Sequence, residues 1–370
     1  MIALARIITT FENDLVARYG NRLLPSHRDA LHALKHCRSV RSARMQVQCS
    51  ACHRQHYVPH SCGHRSCPHC QHHESEQWLQ RQLQRQVPAE YFLLTFTLPA
   101  QLRPLAFDHQ RVLYDALLRA SWDTLRTFAR NDKQLKGTPG AIAVLHTHSR
   151  RLDYHPHVHV IMPAAAIATQ RRLWRTKPSP SGSPWLFAHK ALATVFGAKV
   201  LDAISRAGLA VPERTPARWV VDCKAVGSGK KALVYLGRYL YRGVIREKDI
   251  VVCQNGQVTF RYQDSKTRRW ETRTLAGADF LWLVLRHVLP RRFRRTRNFG
   301  FLHPNSKRLI ALVHLLLKVD LGIAKAFTKP RPAFTCSACG GVMKVLRTRL
   351  PPPRPAREWP PDGLAECPVM

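Results

Sequence analysis

Hydrophobic and polar positions in the middle of the chain follow two different periods. Between residues 107 and 131 apolar side chains recur at intervals of three and four, which predicts a helix with one buried face. A similar pattern predicts a second helix near 188–207. Runs rich in β-branched and aromatic residues predict strands at 90–99, 140–148, 155–163 and 217–226. This order, β-α-β-β-α-β, is that of a ferredoxin-like fold with an antiparallel sheet.

The same patterns divide the chain into three parts. Residues 1–88 hold a cysteine-rich segment between two predicted helices, near 12–36 and 71–87. Residues 89–300 hold the predicted sheet, and an apolar helical stretch followed by a proline-rich tract occupies 301–370. We therefore predict an α+β protein in which a small N-terminal zinc-binding module precedes a ferredoxin-like catalytic domain. A mainly helical, basic C-terminal region is expected to follow.

Cysteine spacing predicts the metal site of the N-terminal module. Two CxxC pairs in this segment can each turn two thiolates onto one Zn²⁺, so together they complete a tetrahedron. These four cysteines are Cys49, Cys52, Cys67 and Cys70. Cys37, His60 and Cys62 are left over, and they either form a second zinc site or replace one of these ligands. A further half-knuckle, Cys336 and Cys339, has no evident second half.

Charge points to a polyanionic partner. The chain carries 59 Lys and Arg against 23 Asp and Glu, a formal net charge of +36, which exceeds what solubility requires. Nucleic acid is therefore the expected partner. The run 286–300 interleaves arginines with Phe293 and Phe299, which favours contact with the phosphates and bases of single-stranded DNA. The arginines assigned to DNA are Arg291, Arg292, Arg294 and Arg295.

The apolar runs give no reason to expect a membrane protein. The N-terminal residues lack a long apolar run with a cleavage signature, and the longest apolar stretch, 309–319, is too short to span a bilayer. We expect a cytoplasmic protein, in which 11 cysteines favour metal binding over disulfides.

Three histidines alternate with other residues in HPHVHVIMP, residues 155–163. Alternate side chains of a strand leave from the same face. With the intervening valines directed into the core below the helices, His157 and His159 should lie on the open face of the sheet. Two imidazoles at that spacing can share one divalent cation, for which we expect Mg²⁺ or Mn²⁺. The remaining coordination positions would be open to a phosphate oxygen.

A nucleophile for such a phosphate is offered by the segment 229–245. Its apolar spacing predicts a helix in which Tyr235 and Tyr239 lie one turn apart on one face. Attack by a tyrosine on a phosphodiester gives a phosphotyrosine that retains the bond energy, so a strand can be cut and rejoined without ATP. Neighbouring cations expected to hold phosphates are Lys230, Lys231, Arg238 and Arg242.

Five motifs in this order resemble those of the rolling-circle insertion-sequence transposases of the IS91 kind. These are enzymes of the HUH superfamily with two active-site tyrosines and an N-terminal zinc-binding domain. The motifs are SCGHRSCPHC, FTLP, HPHVHV, YLGRYLYR and HVLPRRFRRTRNFGFL. The resemblance implies that His157 and His159 are the metal-binding pair. It also implies that Tyr235 and Tyr239 nick one DNA strand at the element's end and join to its 5′ end.

Some assignments stay open at this point. The third ligand of the superfamily's metal is not identifiable among His146, His148 and His155, and Tyr241 adds another phenol close to the pair. A replication initiator or a conjugative relaxase would use the same chemistry, although the zinc module before the sheet favours a transposase. The histidine pattern also fits the histidine-triad nucleotide hydrolases, which are small and near neutral. A non-enzymatic, zinc-dependent nucleic-acid-binding protein would keep its function without the tyrosines.

Overall fold

The computed structural model describes residues 2–177, 185–240, 243–264, 266–318 and 333–352, without the side chains of 238–240. Within these residues the chain forms two compact units. The larger unit comprises residues 2–35 and 63–318, and the smaller unit comprises 36–62 and 333–352. This division differs from the three consecutive parts expected from the sequence, because two distant segments build the smaller unit.

Helices and strands are numbered in chain order. The helices are α1 (Leu4–Tyr19), α2 (Pro25–Lys35), α3 (His72–Leu83), α4 (Arg103–Asp108), α5 (Gln110–Asn131), α6 (His189–Arg206), α7 (Lys230–Leu240), α8 (Gly277–Leu285) and α9 (Lys307–Leu316). The strands are β1 (Arg44–Cys49), β2 (Gln55–Pro59), β3 (Tyr91–Thr97), β4 (Thr138–His148), β5 (Tyr154–Pro163), β6 (Ala165–Ala168), β7 (Leu173–Thr176), β8 (Val220–Ala225), β9 (Ile250–Gln254), β10 (Gln257–Gln263), β11 (Trp270–Ala276), β12 (Thr296–Gly300), β13 (Phe334–Thr335) and β14 (Val342–Leu350). Among the helices of the described residues, we find none with the length and apolar character needed to cross a bilayer.

The main sheet of the larger unit confirms the predicted fold class. Its strand order is β7-β6-β4-β5-β3-β8, and β12 pairs with β4. The four strands β4, β5, β3 and β8 are antiparallel to their neighbours, and along the chain they alternate with α5 and α6 in the ferredoxin-like order. The histidine strand β5 therefore lies in the middle of the sheet, between β3 and β4.

One face of this sheet is covered by α5 and α6, which pack against each other and against β4 and β8. Phe96 of β3 belongs to that face, because its buried ring lies 4.9 Å from the ring of Phe196 in α6. The preceding residue, Thr95, points to the opposite face, and it is paired in register with His159 of β5. The histidines therefore lie on the face that α5 and α6 leave open, as predicted.

Helix α7 packs on that second face. Leu233 and Leu236 are buried in one apolar cluster with Val144 of β4, Ile161 of β5 and Trp78 of α3. Val144 and Ile161 are each two residues from a histidine of the open face, so α7 lies on the same side of the sheet as the histidines. The burial of these two leucines fixes which side of the helix faces the strands.

Two regions of the larger unit differ from the sequence prediction. The single helix expected at 12–36 is two helices, because Pro25 begins α2 and lacks the N–H that a continuing helix needs. The strands β9, β10 and β11 form a separate antiparallel sheet that was not predicted. The alternation typical of a strand is present in β10, where Val258, Phe260 and Tyr262 are buried, whereas β11 is almost wholly exposed.

The smaller unit is a sheet of two hairpins in the order β13-β14-β1-β2. The central pairing is antiparallel, and it places Cys49 of β1 opposite Met343 of β14. The described residues after α9, which were expected to be mainly helical, therefore contain a β-hairpin. The proline-rich tract from 353 onward lies outside the described residues.

A buried histidine makes the stability of the larger unit depend on pH. His27 of α2 has no solvent exposure, lies against the rings of Phe107 and Trp282, and accepts a hydrogen bond on Nδ1 from the backbone N–H of Leu24. Burial lowers its pKa from 6.5 to about 4. The unfolded chain therefore binds one more proton than the folded chain between these values, so this histidine lowers stability as the pH falls from 6.5 towards 4.

We expect His27→Leu to flatten this dependence. Between about pH 4.5 and 6, the slope of the free energy of unfolding against pH should fall by about 1.4 kcal/mol per pH unit, the value for one proton. Urea unfolding at several pH values measures the slope. The matched control is His109→Leu, a substitution of an exposed histidine. An unchanged slope in the His27 variant would contradict the assignment.

Candidate active site

Three histidines meet on the open face of the main sheet. His157 and His159 come from β5, and His146 comes from β4, where it is paired in register with His157. Each offers one ring nitrogen, and these three atoms lie within 4.8 Å of one another. The group can therefore hold a metal ion. Because all three residues belong to adjacent strands in the middle of the sheet, their backbones are held rigidly.

Hydrogen bonds set the orientation of two of these rings. The Nδ1 atom of His157 is 2.7 Å from the carbonyl oxygen of His155, to which it donates. The Nδ1 atom of His159 is 3.0 Å from Oγ1 of Thr95, on the neighbouring strand β3. When these Nδ1 atoms carry the protons, Nε2 keeps a lone pair on each ring. Such contacts commonly fix the ring and the tautomer of a metal-binding histidine.

Burial keeps the three rings neutral. It lowers the pKa of His157 to about 3 and that of His159 to about 4. The pKa of His146 is also held well below its ordinary value, first by burial and then by the charges of the neighbouring histidines and Arg295. A neutral imidazole has the lone pair that a metal requires. At neutral pH the three histidines are therefore neutral, and each can offer a nitrogen lone pair to a metal ion.

Of the three histidines that the sequence left open, His146 is the one that groups with His157 and His159. His155, the first histidine of the HPHVHV strand, is instead bonded through Nδ1 to the Arg103 guanidinium at 2.6 Å. His148 has its ring centre 5.4 Å from that of His287. The sequence places His146 on the strand before the histidine strand, so it was a candidate. The sequence does not give the register of the β4–β5 pairing, and a shift of one residue would place His146 on the opposite face of the sheet from His157 and His159.

Tyr235 of α7 lies next to the histidines. Its ring centre is 6.4 Å from that of His159, with the two planes nearly perpendicular, and the residue is 40% exposed. The burial of Leu233 and Leu236 against the sheet holds α7 in this position. Tyr239 occupies the next turn of the same helix, but its side chain, like that of Arg238, lies outside the described part of the structure. Tyr241 and Arg242 lie outside it altogether.

The predicted DNA-contacting cations divide into two kinds. Those exposed to solvent are Lys230, Lys231, Arg291, Arg292 and Arg294. Arg295 points inward, where its Nε donates a hydrogen bond to the carbonyl of Leu145 at 3.1 Å. It therefore braces β4 next to His146, and its charge adds to the forces that keep this histidine neutral.

The two aromatic residues of the basic run pack against other aromatic side chains of the protein. Phe293 is buried, with its ring centre 5.7 Å from that of Tyr114. Phe299 stacks on Trp122 at 5.1 Å. The prediction that Phe293 stacks on DNA bases is therefore wrong, and one face of Phe299 is already covered. The interleaving of aromatic and basic residues reflects alternate core and surface positions.

The predicted grouping of Cys49 and Cys52 with Cys67 and Cys70 is wrong. Cys49 and Cys52 gather instead with Cys336 and Cys339, because the pairing of β1 with β14 brings the tips of two hairpins together. Cys67 and Cys70 lie in the larger unit and are not part of this group. His60 is not in this group either, and its Nδ1 contacts the carbonyl oxygen of Ser61 at 2.6 Å.

Two family models match the chain in different places. A model described as a putative transposase matches residues 140–309, which include the histidines and Tyr235. A model described as a transposase zinc-binding domain matches residues 7–98. The second match includes the cysteines between Cys37 and Cys70, so zinc is the metal expected in that segment.

Curated proteins of similar sequence are also transposases. The putative transposase y4qJ of Sinorhizobium fredii is 29% identical over 326 residues, which cover 78% of this chain and 79% of that protein. The transposase for insertion sequence element IS801 of Pseudomonas savastanoi pv. phaseolicola is 30% identical over 322 residues, which cover 78% of this chain and 75% of that protein.

Among solved structures, the conjugative relaxase TrwC in complex with mutant OriT DNA has a weak likeness to this chain. The TM-score is 0.26 at 16% identity, and the aligned part covers 34% of this chain and 48% of the relaxase chain. A metal-free structure of TrwC with OriT DNA gives a TM-score of 0.25 at 14% identity, covering 61% of this chain and 70% of that one. Likeness at this level supports no functional argument.

Proposed function

Because the chain belongs to the IS91-type family of insertion-sequence transposases, we propose that it cuts one DNA strand at the end of the element and joins that strand's 5′ end to Tyr235. The observation that carries the proposal is the position of the partly exposed Tyr235 ring beside the three-histidine group. A phenol next to a site that can hold a cation suits phosphodiester transfer. Tyr239, one turn further along α7, is proposed as the second nucleophile of rolling-circle transposition.

The proposed reaction exchanges one phosphate ester for another. The phenol oxygen of Tyr235 loses its proton and forms a bond to the scissile phosphorus, while the bond from phosphorus to the 3′ oxygen breaks and that oxygen takes up a proton. The products are a 5′-phosphotyrosine and a free 3′-hydroxyl. Joining is the same exchange in reverse, in which a 3′-hydroxyl attacks the phosphotyrosine and releases the phenol. The number of ester bonds is unchanged, so no ATP is needed.

His146, His157 and His159 are the residues that we propose to hold a divalent cation. When bound, the cation supplies Lewis acidity, which withdraws charge from a non-bridging oxygen of the scissile phosphate. The fit rests on three neutral imidazoles with their nitrogens close together on a rigid part of the sheet. The histidine-triad hydrolase alternative is disfavoured, because its triad would include His155, which is bonded to Arg103 instead.

Single-stranded DNA is the substrate that we propose, in the cytoplasm where the element's DNA lies. The net charge of +36 supplies the attraction to phosphate, and Lys230, Arg291, Arg292 and Arg294 are exposed on the unit that carries Tyr235. The preference for single strands is proposed because rolling-circle transposition, which the resemblance implies, cuts and joins one strand. A replication initiator or relaxase would share the chemistry, but the family of this chain favours transposition.

Formation of a covalent adduct tests the proposal. Purified protein is incubated with Mn²⁺ and single-stranded DNA that spans each end of the element, and the products are separated on a denaturing gel. A label on the 3′ end of the DNA should move with the protein, whereas a label on the 5′ end should be released on a shorter strand with a free 3′-hydroxyl. DNA binding without an adduct, or an adduct that retains the 5′ label, would contradict the proposal.

The nitrogen ligands lead to a prediction about the metal. Imidazole suits transition metals, whereas Mg²⁺ prefers oxygen ligands. We therefore expect half-maximal adduct formation at a Mn²⁺ concentration at least about 10-fold lower than that of Mg²⁺. The measurement is a titration of each ion into protein freed of metal with a chelator. Equal requirements for the two ions would indicate that oxygen ligands dominate the site.

A further inference from the structure

The smaller unit contains two matching knuckles. In the first, Cys49 and Cys52 close the turn between β1 and β2, and His53 has a φ of 57°. In the second, Cys336 and Cys339 close the turn between β13 and β14, and Gly340 has a φ of 70°. Each CxxC pair is thus followed directly by a residue in the left-handed region. This backbone turns both thiols of a hairpin to the same side.

The two knuckles face each other with their sulfur atoms at the spacing of a zinc site. The Sγ atoms of Cys49 and Cys339 are 3.5 Å apart, and those of Cys52 and Cys336 are 3.7 Å apart. All four lie within 4.8 Å of one another. A tetrahedral ion with Zn–S bonds of about 2.3 Å requires sulfur separations of about 3.8 Å. The observed spacing therefore fits one Zn²⁺.

Backbone N–H groups hold the sulfur of Cys49 in place. Those of Cys52 and Ala51 donate to its Sγ atom, at 3.5 and 3.4 Å. The two hairpins are also tied directly, since the N–H and hydroxyl of Ser50 both donate to the carbonyl of Val342.

The glycines after the second knuckle leave room for the sulfurs. A Cβ atom added to Gly341 would lie 3.0 Å from Sγ of Cys49 and 3.4 Å from Sγ of Cys339. The backbone of the second hairpin thus approaches the first knuckle more closely than a side chain would allow. This close approach lets the four sulfur atoms of the two hairpins lie together.

The unit has too small an apolar core to fold by hydrophobic burial alone. Its cluster of buried residues consists of Val47, Cys49, Cys336 and Met343, with Met45 and Val58 partly buried against it. Segments of about 40 residues usually need a metal or disulfides to fold. The unit also carries seven Lys or Arg and no Asp or Glu in residues 36–62 and 333–352, so its own charges repel one another.

We propose that Cys49, Cys52, Cys336 and Cys339 bind one structural zinc ion, and that this ion folds the smaller unit by holding its two hairpins together. The four thiols release their protons on binding, and the resulting tetrathiolate centre carries two negative charges, which offset part of the surrounding positive charge. Half of the ligands lie near residue 340, so the zinc-binding part of the protein is not confined to its N-terminal segment. The proposal does not depend on the nicking chemistry.

Cobalt substitution of the full-length protein tests the pairing. Co²⁺ bound by cysteine gives thiolate-to-metal charge-transfer absorption, to which the histidine site does not contribute. Cys336→Ser with Cys339→Ser should lower this absorption, and Cys49→Ser with Cys52→Ser should lower it by the same amount. The quadruple variant should lose no more than either pair. The matched control, Cys223→Ser with Cys253→Ser, changes two cysteines outside the proposed site and should lose none.

Each other outcome contradicts the proposal. No loss in the Cys336 and Cys339 variant would mean that these residues bind no metal, and additive losses would mean that the two knuckles serve different ions. Alkylation of the wild-type protein gives a second test that requires no variant. Cys52 and Cys339 are exposed, and they should react with iodoacetamide at least about 10-fold more slowly with zinc than after chelation. Equal rates with zinc and after chelation would overturn the proposal.

Discussion

Tyr235→Phe is expected to lower the rate of the first DNA cleavage by about 10³-fold or more. The substitution removes only the phenol oxygen that forms the new bond to phosphorus, and loss of a nucleophile removes most of an enzyme's rate advantage. The ring remains, so its packing beside His159 should be retained. The rate is measured as covalent adduct formed per unit time on single-stranded DNA, with Mn²⁺ at saturation.

Two further variants make the Tyr235 result specific. Tyr57→Phe removes the same oxygen from an exposed tyrosine of the smaller unit and should leave the rate unchanged. Tyr239→Phe should preserve the first adduct, because we assign the first attack to the tyrosine that lies beside His159. DNA affinity, measured separately by fluorescence anisotropy, should not change in any of them. Full adduct formation by the Tyr235 variant would show that another residue is the nucleophile.

His146→Ala is expected to weaken Mn²⁺ binding by at least about 100-fold, since even residues that merely orient metal ligands contribute 10- to 100-fold. His146 is the one proposed ligand that comes from β4, and no other side chain of that strand is in the three-histidine group. Adduct formation should fall in parallel at low Mn²⁺ and recover partly as Mn²⁺ is raised. Recovery of this kind separates a lost ligand from a misfolded protein.

The control for His146→Ala is His155→Ala. His155 lies on the histidine strand but bonds to Arg103, and the backbone carbonyl that orients His157 survives its replacement. Its loss should raise the Mn²⁺ requirement by less than about 10-fold, the lower end of the range for residues outside the ligand set. The opposite pattern, with His155 essential and His146 dispensable, would restore the histidine-triad alternative.

The sequence predicted those features of the site that depend on local periodicity. Alternation along β5 placed His157 and His159 on the open face, and the spacing of leucines placed Tyr235 on a helix. Both follow from the geometry of single elements. The third histidine was left open, because its identity depends on the register of β4 against β5, which local spacing does not determine.

The cysteine groups show the same limit over a longer distance. Two CxxC pairs close together in the sequence gave a plausible tetrahedron, but the pairing of β1 with β14 joins Cys49 to Cys339, far along the chain. The CxxC spacing identifies each knuckle, but it does not determine which two knuckles come together in the folded chain. In the basic run, the inward position of Arg295 likewise depends on the pairing of β12 with β4.

Mass spectrometry of the covalent adduct tests the central claim most directly. The adduct formed on single-stranded DNA is digested with nuclease and protease, and the peptide that carries a nucleotide is sequenced. We expect the nucleotide on Tyr235, attached through its 5′ phosphate. A nucleotide on a histidine, a serine or a tyrosine outside α7, or attachment through a 3′ phosphate, would contradict the account.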